Sequence, residues 1–132
     1  MTTKIVKPWG FEIKFTEEDL PYTGKMAFTQ AGKRWSLQYH DQKTETIMLL
    51  SGQAKFILGD KTIEMMPNVG YTVNPNTHHR FIATTNCVTV EVSTPELGST
   101  FRLEDDYSRP TETEDLRSTA NRGWQSNPST QT

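Results

Sequence analysis

A glutamine, two histidines and a glutamate have the residue types and spacing to bind one metal ion. Gln38 and His40 are two positions apart, and Glu45 follows shortly after them. Alternate side chains of a β-strand point to the same face, so Gln38 and His40 can converge on one ion. Glu45, at the start of the next strand, would add a charged oxygen, and His79 on a later strand would complete the set. The sequence therefore predicts a metal site made of these four residues.

The donor set limits both the metal and its chemistry. Two nitrogens and two oxygens suit one divalent transition metal ion, which could be zinc, manganese, iron, cobalt or nickel. Protein ligands with open positions beside them are typical of a catalytic site, where the ion polarises the substrate as a Lewis acid. His78 and His79 are adjacent, so only one can face the interior, and the register with Phe81 favours His79. The alternative is that His40 and His79 are ordinary half-buried histidines.

Three cationic residues are candidates for contacting a substrate, in particular the phosphate group of a sugar phosphate. Lys25 alternates with Ala27 and Thr29 on one face of a predicted strand, and Arg34 shares the face of the metal ligands. Arg80 is a weaker candidate, because alternation turns a residue that follows an inward histidine outward. Arginine can bind a phosphate through two hydrogen bonds, and lysine acts as a point charge. Each could instead be a solvated surface residue, and the sequence identifies no general base.

Short strands must position these residues. Apolar residues recur at every second position, and turn residues interrupt the chain every eight to twelve or so residues, which is the pattern of an all-β protein. The predicted strands are residues 11–15, 25–30, 34–40, 45–50, 54–58, 62–66, 70–73, 79–84 and 88–93. Residues 50–53 and 58–61 contain Gly52 and Gly59, and we expect each to be a hairpin turn between antiparallel neighbours. This many short strands suits a closed barrel or a jelly roll.

Composition excludes several classes of function. The chain has 132 residues, with 14 Lys plus Arg against 16 Asp plus Glu, so its net charge of -2 offers no general attraction for nucleic acid or an anionic membrane. The single cysteine, Cys87, excludes an internal disulfide and a Cys-rich zinc site. No segment is apolar and long enough for a signal peptide or a membrane span, so we expect a soluble cytoplasmic protein.

The length suits one domain followed by a polar tail. After Arg109 the sequence is rich in Thr, Ser, Glu and Asn, and Trp124 is the only large apolar residue beyond Leu116. Such a segment can bury little apolar surface. We therefore expect a barrel at residues 1–109 and an extended or disordered tail at 110–132, with one helical turn near 112–118.

The predicted metal ligands occur in a pattern that resembles the cupin family. Its first motif contains a glycine, a His-x-His pair, a glutamate and a second glycine. The residues at these positions are Gly32, Gln38, His40, Glu45 and Gly52, with Gln38 replacing the first histidine. A shortened second motif is carried by Gly70, Asn74, Pro75, Asn76 and His79.

More narrowly, the chain resembles the cupin domain of type II mannose-6-phosphate isomerases and related stand-alone small cupins, in which the same exchange of Gln for His is found. The residues that carry this resemblance are Lys7, Pro8, Trp9, Gly10, Ser36, Leu37, Gln38, His40, Glu45, Ser51, Gly52, His79, Arg80, Leu103, Glu104, Asp105 and Asp106. The isomerases typically have a His-rich run and a Trp where this chain has 41–43 and Ile47, so the substrate is left open.

The resemblance implies a single cupin barrel, a double-stranded β-helix or jelly roll, that holds one divalent metal ion. It further implies an isomerase-like metalloenzyme, which acts on or binds a sugar or sugar phosphate with the metal as Lewis acid. Two alternatives remain open: an Fe(II)-dependent cupin oxygenase, and a non-catalytic cupin that binds a small molecule.

One apolar stripe bears on assembly. Trp35, Leu37 and Tyr39 would lie opposite the metal-binding face, and Met48 and Leu50 would extend the stripe on the next strand. An apolar surface of this kind is normally covered, so we expect a homodimer.

Overall fold

The computed structural model describes residues 2–124, which form mainly β-strands. The strands are β1 (Thr3–Lys7), β2 (Gly10–Lys14), β3 (Thr23–Thr29), β4 (Leu37–His40), β5 (Glu45–Ser51), β6 (Ala54–Leu58), β7 (Lys61–Glu64), β8 (Gly70–Val73), β9 (His79–Ala83), β10 (Cys87–Ser93) and β11 (Thr100–Glu104). A short helix α1 (Glu114–Arg117) and a 3₁₀ segment (Ala120–Gly123) follow. Within residues 2–124, neither helical segment has the length or apolar character needed to cross a membrane.

The strands form two antiparallel sheets. A six-stranded sheet has the order β1-β2-β3-β10-β5-β8, and a five-stranded sheet has the order β11-β4-β9-β6-β7. From β3 onward the chain passes repeatedly from one sheet to the other, as in a jelly roll. The prediction of an all-β jelly-roll domain is confirmed.

The space between the sheets contains both an apolar core and charged side chains. Phe56, Phe81, Ile47 and Leu49 are completely buried. Burial stabilises each such side chain by about 2–3 kcal/mol relative to exposure. The interior-facing positions of β1, β2 and β3 instead include the charged residues Lys7, Glu12 and Lys25, which are buried or largely buried.

The two predicted hairpins have different outcomes. Residues 58–61 do connect antiparallel neighbours, since Leu58 pairs with Lys61. Residues 50–53 do not, because β5 pairs with β8 and β10 whereas β6 pairs with β7 and β9. The turn at Gly52 carries the chain from one sheet to the other, and its φ of 97° is in the left-handed region that favours glycine. A Cβ there would lie 2.4 Å from the Asn86 carbonyl oxygen, so a larger residue would clash with the backbone.

Two strands were missed by the pattern of alternating apolar residues. In β1 and β11 a charged side chain occupies a position that the pattern expects to be apolar. Lys7 is 7% exposed, and the Arg102 side chain is 6% exposed. Both charges are neutralised inside the protein, which hydropathy patterning cannot detect.

The predicted apolar stripe is wrong. Strand β4 begins only at Leu37, and Trp35 lies in the core, with its ring centroid 5.3 Å from Trp9 and 4.8 Å from Phe81. Tyr39 stacks on Phe101 in the five-stranded sheet, whereas Met48 and Leu50 belong to the six-stranded sheet. These residues therefore do not form one surface, and the homodimer stays a prediction without that argument.

The expectation of an extended or disordered C-terminal tail needs a correction for residues 110–124. The rest of that tail, residues 125–132, lies outside the described residues. Helix α1 occurs where one helical turn was expected, and Thr113 caps it by accepting a hydrogen bond from the Leu116 amide. The segment is attached to the barrel: Glu112 exchanges two backbone hydrogen bonds with Thr100, and the side-chain oxygen of Asn121 accepts a hydrogen bond from the Val6 amide. Polar contacts hold most of it, beside one edge-on contact between the rings of Trp124 and Tyr107, which is why composition indicated a loose tail.

Glu112 has the strongest set of ion pairs in this segment. It is 2% exposed, and its carboxylate lies 3.1 Å from Arg117, 3.1 Å from Arg122 and 3.2 Å from Arg102. Burial alone would raise the pKa of Glu112, but the charges of Lys7, Arg122 and Arg102 lower it from 4.5 to about 2.

We predict that Glu112→Gln destabilises the protein at neutral pH but not in acid. A carboxyl whose pKa is lowered by folding stabilises the folded state above pH 4.5 and loses that contribution as the pH falls toward 2. A shift of this size corresponds to about 3 kcal/mol. Urea unfolding from pH 7 to pH 2 should show the difference from wild type shrinking toward zero. Glu64→Gln, at a carboxylate 78% exposed, is the control, and equal stability of Glu112→Gln and wild type at pH 7 would contradict the prediction.

Candidate functional site

The structure brings the predicted metal ligands together from three strands of the two facing sheets. Gln38 and His40 lie on β4, and Gln38 pairs in register with His79, the first residue of β9. Glu45 is the first residue of β5 in the opposite sheet. His40, Glu45 and His79 are 6%, 2% and 0% exposed, and one ligand atom from each lies within 4.8 Å of the others.

Two atoms at the centre of this cluster, one nitrogen and one oxygen, have no hydrogen-bond partner among the described residues. His79 Nε2 is 3.0 Å and His40 Nε2 is 3.4 Å from Glu45 Oε1. Neither His40 Nε2 nor Glu45 Oε1 makes a hydrogen bond within the described chain, although both are buried. Buried polar atoms are normally paired, so these atoms point to a missing partner that accepts electron pairs. A divalent metal ion fits this requirement.

The Nδ1 atoms of both histidines make hydrogen bonds that turn Nε2 of each ring toward the centre of the cluster. His79 Nδ1 lies 3.0 Å from the Thr77 carbonyl oxygen, which can only accept, so Nδ1 carries the proton and the neutral ring presents a lone pair at Nε2. His40 Nδ1 lies 2.9 Å from the Thr100 hydroxyl, to which it can donate. Burial lowers the pKa of His40, which favours the neutral form that binds metals. Hydrogen bonds of this kind are the usual way in which proteins orient metal-binding histidines.

Gln38 lies beside the cluster, but its amide nitrogen rather than its oxygen faces His79. Its Nε2 lies 3.3 Å from His79 Nε2, and its Oε1 accepts a hydrogen bond of 2.8 Å from the Ser36 hydroxyl. A rotation of the amide by 180° would present the oxygen to the cluster and keep a bond to Ser36, because a hydroxyl both donates and accepts.

The choice between the two adjacent histidines agrees with the prediction. His79 is fully buried in the cluster, whereas the ring of His78 stacks on Tyr39, with a centroid distance of 5.4 Å. The two side chains thus lie in different surroundings, although the residues are neighbours in sequence.

Lys43 supplies the positive charge nearest to Glu45. Its Nζ lies 3.0 Å from Glu45 Oε2 and 2.9 Å from Glu91 Oε2, and the residue is 5% exposed. Burial by itself would raise the pKa of Glu45, but Lys43 and the neighbouring imidazoles hold it well below its usual value. The same carboxylates hold the pKa of Lys43 well above its usual value, against the effect of burial. Glu45 is therefore a carboxylate at neutral pH, as a metal ligand must be.

A cavity of about 50 Å³ adjoins the cluster and is mostly lined by polar side chains. Lys25, a predicted substrate contact, lines it and is 4% exposed. Its charge is already engaged, since its Nζ lies 3.2 Å from Glu12 and forms a second ion pair with Glu96. The cavity also borders on Glu91. Burial, followed by the charge of Glu45, raises the pKa of Glu91 to about 7.

Arg34 and Arg80 do not line this cavity, so their assignment as substrate contacts needs correction. The Arg34 side chain is 42% exposed and forms two hydrogen bonds, of 2.7 and 2.8 Å, to Asp106. Arg80 is buried, but it donates to the Trp35 carbonyl and to Asp106 on the side of β9 away from His79. Arg34 does not share the face of the metal ligands, because the alternation of β4 does not extend back to residue 34. That residue forms only an isolated bridge with Ile82.

Sequence reasoning missed Lys43 and Glu91. Lys43 could have been found, because it lies two positions before Glu45 and continues the alternation of inward residues. Glu91 was missed because it alternates with Val88, Val90 and Val92, and a period-two pattern assigns the apolar residues to the buried face. The structure reverses this: Val92 is 55% exposed, whereas Thr89 is 1% exposed and Glu91 faces the cavity.

Comparison with known proteins gives a consistent picture of the fold. The family model described as "Cupin domain" matches residues 24–93, just over half of the chain. KdgF from Halomonas sp. is 12% identical with a TM-score of 0.65, and the match covers 74% of this chain and 89% of KdgF. A cupin-2 domain from Rhodospirillum rubrum is 15% identical with a TM-score of 0.69, covering 80% of this chain and 77% of that protein. At such identities the likeness shows the fold alone.

A third similar structure is Bacillus subtilis oxalate decarboxylase, described for its Mn(II) centres. It is 16% identical with a TM-score of 0.67, and the match covers 77% of this chain but only 30% of the decarboxylase. No curated protein matches the sequence. The family match spans β3 to β10, including all four predicted metal ligands, and the chain belongs to the cupin family.

Proposed function

We propose that this cupin is a metal-dependent, isomerase-like enzyme that acts on a sugar, with Gln38, His40, Glu45 and His79 holding one divalent ion. The observation that carries the proposal is the set of unpartnered buried atoms that face one another in a polar cavity. An ion held there would polarise a carbonyl or hydroxyl oxygen of the sugar as a Lewis acid. The mannose-6-phosphate-isomerase-like sequence features point to the same class of reaction.

The charges of the cavity favour an unphosphorylated sugar over a sugar phosphate. Lys7 lies 3.7 Å from Glu12, and Lys25 and Lys43 each contact two carboxylates within 3.2 Å. Among the described residues, each lysine that lines the cavity is thus paired with a carboxylate. A phosphate would have to displace one of these partners, whereas hydroxyl groups can donate to the carboxylates without separating any ion pair.

Glu91 is the candidate for moving protons. Its carboxyl lines the cavity beside the metal ligands, and a pKa of about 7 makes both of its forms available at neutral pH. In an aldose–ketose conversion, Glu91 would take the proton from C2, and the C–H electron pair would form the double bond of an enediol. The acid would return the proton to C1 while the hydroxyl proton passes from O2 to O1, so no co-reactant is consumed.

One observation favours a second candidate, a non-catalytic cupin that binds a small molecule. The cavity of about 50 Å³ has room for a few water molecules rather than for a hexose, so a sugar could enter only if the surrounding side chains move. Under this alternative, metal and ligand bind but no aldose–ketose turnover follows.

We predict that His79→Ala abolishes binding of the divalent ion, whereas His78→Ala does not. The two residues are neighbours on the same segment, but only His79 faces Glu45, so the pair separates loss of a ligand from general damage. Metal content per chain, measured by elemental analysis after loading with Zn²⁺, Mn²⁺, Fe²⁺, Co²⁺ or Ni²⁺, is the readout. If His79→Ala retains the ion to the same extent as His78→Ala, the proposed site is wrong.

We predict that Glu91→Gln lowers the turnover of the metal-loaded protein on free aldoses by about 10²-fold or more, as expected for loss of a general acid–base group. Glutamine keeps the size of the side chain but cannot carry the proton. Turnover is followed by NMR of mannose and fructose interconversion, with mannose 6-phosphate as the comparison substrate and Glu64→Gln as the control. If the wild-type protein binds metal but converts none of these sugars, the proposed isomerase activity is wrong and the non-catalytic, ligand-binding cupin remains.

A further inference from the structure

Lys43 is surrounded by carboxylates inside the barrel. Its Nζ lies 3.0 Å from Glu45 Oε2, 2.9 Å from Glu91 Oε2 and 3.6 Å from Glu96 Oε1. The Lys43 side chain is 7% exposed, and the three carboxylate side chains are 2%, 13% and 8% exposed. Water therefore screens these charges weakly, and their mutual positions depend on the ammonium group.

The two oxygens of Glu45 have different surroundings as a result. Oε1 faces the two histidines at 3.0 and 3.4 Å, whereas Oε2 lies against Lys43. A carboxylate that binds an ion with both oxygens must turn both toward it. That rotation would separate Oε2 from Lys43 and leave a buried ammonium with one close partner fewer, which is unfavourable in a weakly screened interior.

Glu91 is the other carboxylate that Lys43 restrains. Glu45 Oε2 and Glu91 Oε2 lie within about 6 Å of each other, because each is about 3 Å from the same nitrogen. Without the ammonium between them, the carboxylate form of Glu91 would be attracted to a divalent ion bound at Glu45. An additional carboxylate ligand would fill a position that a substrate needs.

We propose that Lys43 is a positioning residue that makes Glu45 a ligand through one oxygen only and keeps Glu91 out of the coordination sphere. The inference rests on the metal-binding part of the proposed function and not on the identity of the reaction. It explains how a site so rich in carboxylates can leave coordination positions open. It also separates the tasks of the two acids, since Glu45 binds the ion and Glu91 stays free.

The test uses Co²⁺ as the probe, because its visible absorption reports coordination number and is stronger for four or five ligands than for six. Lys43→Met should bind Co²⁺ with a weaker visible band, since Glu45 turns both oxygens toward the ion or Glu91 joins it. Lys7→Met is the matched control: it removes another buried lysine from the same cavity, but one that contacts Glu12 rather than Glu45. Its spectrum should match that of wild type. Circular dichroism and thermal unfolding check that each variant is folded.

Three results would overturn the inference. A Lys43→Met spectrum equal to that of wild type shows that Lys43 does not control the ligands, and an equal change in Lys7→Met shows that any lost charge has the same effect. If Lys43→Met does not fold, a crystal structure of the Co²⁺-loaded wild type decides, because Glu45 bound through both oxygens contradicts the inference and Glu45 bound through one supports it. Wild-type protein that takes up no Co²⁺ refutes the metal site itself, which distinguishes that failure from failure of the role of Lys43.

Discussion

The burial of the Glu45 carboxylate is the constraint on which the rest of the interior depends. A charge removed from water is tolerated only when opposite charges or hydrogen-bond donors surround it. One of its oxygens is neutralised by Lys43, and the other faces His40 and His79 without a hydrogen bond. This asymmetry leaves room for a cation on one side of the carboxylate and fixes where that cation must lie.

Neutralising Glu45 requires a series of further charges. Lys43 is itself buried and is balanced by Glu91 and Glu96, and Glu96 in turn pairs with Lys25 and Arg122. Arg122 also binds Glu112, so the series ends in the C-terminal segment. Residues 110–124 are therefore part of the electrostatic balance of the barrel, although they bury little apolar surface. Removal of one member leaves its partners uncompensated, which is why single substitutions here should affect distant positions.

Under the proposed function, the same arrangement would restrict which ligand binds. Because the lysines around the cavity are already paired, the site offers a bound molecule hydrogen-bond acceptors and a metal position rather than free positive charge. Polyhydroxy compounds match these properties better than phosphate esters do. Because the cavity is small, a ligand could enter only if the lining side chains moved. The segment that carries Glu112 and Arg122 lines part of the cavity.

Local patterns in the amino-acid sequence are enough to predict the all-β jelly-roll class, the alternation that places Gln38 and His40 on one face, and His79 rather than His78 as the inward residue. Each of these depends on local periodicity or on a motif with fixed spacing, which a single chain displays directly. Three other features are visible only in the folded protein: β5 and β6 belong to different sheets, Arg34 and Arg80 pair with Asp106 outside the cavity, and Glu91 faces inward from a strand rich in valine. The physical reason is that buried charges are stable only through partners distant in sequence, such as Lys25 with Glu96 and Glu112 with Arg102, Arg117 and Arg122. Hydropathy patterns assign charged residues to the surface, so a barrel whose functional interior is charged reveals its site only when the strands are assembled.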